Sequence, residues 1–95
     1  MMEVLLVGAD NLGVIDKRLA AYGVASIAHV TGRNVMERRR LTIPAETALV
    51  IVLTDFVCHR VALSVKKRAK QQGVPIIFVK RSWVAIEEKI RRLAR

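Results

Sequence analysis

The side chains best suited to chemistry in this chain are its two histidines, His29 and His59. Near neutral pH an imidazole can donate or accept a hydrogen bond, shuttle a proton or ligate a metal. His29 opens the run H-V-T-G-R (29–33), and His59 closes T-D-F-V-C-H (54–59). Lys66 follows His59 by two helical turns, so the two share one flank of a helix about 10 Å apart along its axis. They can flank one ligand but cannot share one small ion. Cys58 precedes His59, but adjacent helical residues point about 100° apart and make no catalytic dyad. As the single cysteine it forms no internal disulfide or zinc framework, and it reads as a small hydrophobe. Asp10 and Asp55 are the acidic candidates near these motifs, and no carboxylate pair or activated nucleophile accompanies them. The dinucleotide fingerprint G-x-G-x-x-G, the Walker A loop and the metal spacings C-x-x-C and H-x-x-x-H are missing.

The second source of chemistry is charge. Seventeen Lys and Arg against eight Asp and Glu give a net charge of +9. Such a balance draws in nucleotides, nucleic acids and phosphorylated metabolites. The basic residues cluster as Arg38-Arg39-Arg40, Lys66-Lys67-Arg68-Lys70, Lys80-Arg81 and Arg91-Arg92. The ordinary reading of any one such run is a solvated face. Aromatic residues make up 4% of the chain, which leaves few platforms for stacking single-stranded bases.

These residues need elements to hold them. Residues 3–8 read as a strand ended by Gly8, with a helix over Asn11 to Tyr22 whose Leu12, Ile15, Leu19 and Tyr22 form one stripe. Asp10 suits its N-cap and Gly23 its stop. Residues 24–30 read as an edge strand. The connection 31–47 is polar, with a weak helical pattern over Arg33 to Leu41. The six apolar residues 48–53 mark a strand buried on both faces. Phe56 to Gln72 reads as a helix with Asp55 as its N-cap and Val57, Val61, Val65 and Ala69 on one face. Residues 75–79 form the fourth strand, and Ser82 caps a last helix carrying Trp83, Ile86, Ile90 and Leu93 inward. Strands alternating with helices predict one α/β domain over 1–95: a small three-layer, flavodoxin-like or Rossmann-like parallel sheet in the order 2-1-3-4.

In such sheets ligands bind at the carboxyl ends of the strands. Four loops gather there, bringing Gly8, Asp10, His29, Gly32, Arg33, Thr54, His59, Lys66, Arg81 and Ser82 to one rim as candidate ligand-binding residues. Lys80 belongs to the same rim. Arg38, Arg39 and Arg40 are the candidate contacts to nucleic acid.

The chain resembles a bacterial family known as domain of unknown function 2325. The resemblance runs through V-L-L-V-G-A-D (4–10), H-V-T-G-R (29–33) and A-L-V-I-V-L-T-D-F-V-C-H (48–59). V-K-K-R-A-K (65–70) and G-V-P-I-I-F-V-K-R-S (73–82) complete it. It implies that Gly8, His29, Gly32, His59, Lys66 and Ser82 are characteristic positions, and it brings no activity with it.

The expectation is a non-catalytic binding or regulatory module for an anionic, phosphate-bearing ligand, a nucleotide or nucleic acid, at the carboxyl rim. A metal or haem site using His29 and His59 is the alternative, and a small enzyme with histidine acid–base chemistry is the third reading. The apolar fourth strand, placed at a sheet edge, predicts a homodimer. No signal peptide or apolar run long enough to span a bilayer is visible, which places the protein in the cytoplasm and off the membrane.

Overall fold

The computed structural model describes residues 2–31 and 43–93. Among them, four strands form one parallel sheet: β1 (Met2–Val7), β2 (Val24–Val30), β3 (Leu49–Leu53) and β4 (Ile76–Val79). The order is β2-β1-β3-β4, and every pairing is parallel. Three helices cover it: α1 (Ile15–Ala21), α2 (His59–Gln72) and α3 (Trp83–Leu93).

The two faces follow from handedness. From β1 the chain steps to β2 on one side; from β3 it steps to β4 on the other. A right-handed crossover made in opposite directions lays its helix on opposite faces. Accordingly Leu6, Leu49, Ile51 and Leu53 pack with Ile15 and Leu19 of α1 and Ile86 and Ile90 of α3. Leu5, Val7, Val50 and Val52 pack with Val61, Val65 and Ala69 of α2. All five β3 residues are buried, as a strand covered on both faces requires. The second strand shows the pattern of an edge, with Ala25, Ser26, Ala28 and His29 exposed.

The first two helices begin later than the sequence pattern predicts, whereas α3 starts directly after Ser82 as expected. The chain spends residues 8–14 in turns before α1. Gly8, Ala9 and Gly13 have φ of 115°, 62° and 61°, and the Asn11 side chain accepts the Gly13 N–H at 2.7 Å. The N-cap of α1 is therefore Val14, not Asp10. A 3-10 turn at Thr54–Phe56 and extended backbone at Val57 and Cys58 precede α2, so its N-cap is Cys58, not Asp55. Gly73 ends α2 in the left-handed conformation, as expected. The weak helical pattern over 33–41 lies outside the described residues. On α3, Arg91 donates to the Tyr22 hydroxyl at 3.3 Å. That bond, helped by the Glu87 carboxylate, raises the guanidinium pKa above its ordinary value. No helix among the described residues is long and apolar enough to cross a membrane.

Candidate functional site

The turn after β1 is held by backbone contacts that fix His29. Gly8 N–H donates to Val30 O at 2.8 Å, and Ala9 N–H donates to Phe56 O at 2.9 Å. These bonds tie the end of β1 to its neighbours on both sides. The Nε2 atom of His29 lies 2.9 Å from both Gly8 O and Ala9 O. Carbonyl oxygens only accept, so Nε2 carries the hydrogen and shares it between them. His29 pairs in register with Leu6 and so stands on the α1 face of the sheet, in a groove that it shares with Leu12, Asp16 and Lys17.

His59 lies on the other face. It opens α2 and lines a groove of about 420 Å³ with Thr54, Val57, Ala62, Leu63, Lys66 and Phe78. His59, Ala62 or Leu63, and Lys66 recur at helical spacing and form one wall. Phe78 of β4 forms the other, and Thr54 closes the end nearest the carboxyl edge of β3. The Thr54 hydroxyl donates to Val79 O at 3.4 Å, which links the end of β3 to the edge strand. The groove combines an imidazole, an ammonium and a hydroxyl with apolar walls.

The expectation that His29 and His59 form one site is thus corrected. The reversal of strand order that lays α1 and α2 on opposite faces separates them, and one chain cannot bring both to a single metal ion or haem. Among the described residues no group of three or more His, Cys, Asp or Glu is placed to hold a metal.

The rest of the predicted rim divides. Arg81 is a structural clamp: its Nε–H donates to Asn11 O at 2.9 Å, its backbone N–H donates to Asp55 Oδ1 at 2.9 Å, and its guanidinium lies 5.9 Å from the centre of the Phe56 ring. It joins the loops after β1, β3 and β4. Ser82 starts α3, its carbonyl accepting the Ile86 N–H at 3.0 Å. Asp10 and Asp55 line a separate crevice of about 370 Å³ with Ala9, Phe56, Val57 and Cys58, at the switch point between β1 and β3. Two carboxylates therefore stand at the switch point, and none stands among the described residues that line the α2–β4 groove. Gly32, Arg33, Arg38, Arg39 and Arg40 lie outside the described residues. Val57, Ala62, Leu63 and Phe78 were not among the sequence candidates. Alternation along β4 could have flagged Phe78, which shares the α2 face with Ile76.

The fold and groove define a small parallel α/β domain whose candidate site is a cationic, apolar-walled groove beside an edge strand. Residues 3–93 match the family described as an uncharacterized protein conserved in bacteria (DUF2325), and the chain belongs to that family, as its motifs suggest. Comparison with curated proteins and with solved structures gave no match.

Proposed function

We propose that the protein is a non-catalytic binding module for a small phosphate-bearing ligand of nucleotide type, seated in the groove between α2 and β4. The observation that carries this reading is the meeting of Thr54, His59 and Lys66 in one groove with Val57, Leu63 and Phe78. Lys66 supplies a compact cation for a phosphate, and His59 and Thr54 supply hydrogen bonds. The first turn of α2 adds N–H groups without helical partners. The apolar walls suit a flat ring, and the volume falls within the usual ligand-pocket range of roughly 300–1,000 Å³. Among the described residues no carboxylate or cysteine lines the groove, so His59 has no acidic partner or nucleophile beside it there, which supports the binding reading.

Calorimetric titration with adenosine mono-, di- and triphosphate and with inorganic phosphate tests the reading. At least one nucleotide should bind, more tightly than phosphate alone. Lys66→Gln and His59→Ala should each weaken it by roughly tenfold, the weight of one charge-assisted hydrogen bond. His29→Ala should leave it unchanged. No binding, or equal binding by all variants, would contradict the reading.

A homodimer belongs to the same proposal. The fourth strand is an edge strand of four apolar residues, with Ile76 and Phe78 half-buried. Such an edge invites pairing with a second copy. Light scattering at high micromolar concentration should give twice the mass of the chain; a monomer would contradict it.

A further inference from the structure

The solvent face of α2 carries a second cationic feature, distinct from the groove. The helix H-R-V-A-L-S-V-K-K-R-A-K-Q-Q holds five Lys and Arg and no Asp or Glu. Arg60, Lys66, Lys67 and Lys70 are exposed. Helical spacing sets Arg60, Lys67 and Lys70 on the side away from Val61, Val65 and Ala69, which are buried against the sheet. From Arg60 to Lys70 the charges extend over about 15 Å of helix axis. The contrast with α3 is chemical. There Arg91 pairs with Glu87 at 3.5 Å and Arg92 with Glu88 at 2.8 Å, offsetting two of the helix's three cations from within. The α2 helix has no carboxylate of its own to do the same.

We propose that the solvent face of α2 is a docking surface for a nucleic-acid duplex, contacted through its phosphates without regard to sequence. A row of cations complements a polyanion that carries one charge per about 1.7 Å of helix axis. No aromatic side chain stands on α2, so the face offers nothing on which unpaired bases could stack. The face also does not suit a lipid surface. The apolar stripe that an interfacial helix would bury is already packed on the sheet, leaving Leu63 as the large apolar side chain exposed there. This surface does not depend on the groove being occupied, since Arg60, Lys67 and Lys70 do not line it.

Fluorescence anisotropy with a short labelled DNA duplex, an RNA duplex, the matching single strand and phosphatidylserine vesicles tests the proposal. Three phosphate contacts, from Arg60, Lys67 and Lys70, predict that log K falls with log salt at a slope of about −2.7, and the variant Arg60→Gln/Lys67→Gln/Lys70→Gln, which keeps Lys66 for the groove, should lose most of that slope. That variant should also lose at least roughly tenfold in duplex affinity at low salt. The control Lys17→Gln/Arg91→Gln/Arg92→Gln removes the same charge elsewhere and should stay within about twofold, since these cations lie off the docking face. Equal losses in the two variants would overturn the proposal by assigning binding to net charge. No duplex binding, or tighter binding to single strands or vesicles, would overturn it as well. The α2 variant should still bind nucleotide in the groove, so failure of either site is read separately.

Discussion

At Gly8 the end of β1 comes so close to β3 that a side chain there would crowd its neighbours. A Cβ built there would stand 3.0 Å from Leu53 O and 3.1 Å from Leu53 Cβ, at a φ of 115° that L residues rarely adopt. Gly8→Ala should therefore destabilise the fold by about 1–3 kcal/mol, read as a lower urea midpoint at constant slope. The neighbouring His29 was legible as a polar residue on an edge strand, but its role was not. Its partners are backbone carbonyls, which carry no sequence signature. Its face, however, could have been read: β2 residues alternate, and His29 pairs with Leu6 on the α1 side. His29→Ala should cost about 1 kcal/mol through the lost Nε2–H bonds and speed amide exchange in the turn after β1. Unchanged exchange there would contradict the role given to the ring.

Among the elements, the strands and the apolar stripes of the helices were plain in the sequence, because burial imposes period 2 or 3.6 on side chains. The starts of α1 and α2 were not. Asp10 and Asp55 have the chemistry of N-caps, yet positive φ at Gly8, Ala9 and Gly13 and the turn at Thr54–Phe56 carry the chain further before either helix begins. In the sequence Arg81 looks like a ligand contact because it is basic and lies at the rim. The structure instead uses its planar fork to hold Asn11 O and to cover Phe56. Arg81→Lys should not restore what Arg81→Ala loses, since an ammonium makes neither the forked contact nor the same stacking. Both variants should lose about 1 kcal/mol of stability by chemical denaturation. Full rescue by lysine would show that charge alone matters there.

For the whole molecule, the apolar run of β3 and the alternation of strands and helices sufficed to predict the sheet order. The core depends on that strand: Ile51 is fully buried between β1 and β4, and Ile51→Ala should cost about 2–5 kcal/mol in denaturant unfolding. The same order, with right-handed crossovers, dictates that α1 and α2 lie on opposite faces. It therefore separates His29 from His59 although both are near the carboxyl rim, and it leaves His59 with Lys66 and Thr54. On the proposed function this second face, not the switch point between β1 and β3, receives the phosphate-bearing ligand. The most direct measurement is the amide spectrum of the labelled protein during titration with adenosine monophosphate. Shifts should concentrate at Thr54, Val57, His59, Leu63, Lys66 and Phe78. Shifts centred on Asp10, Asp55 and His29 instead, or no shifts at all, would contradict it.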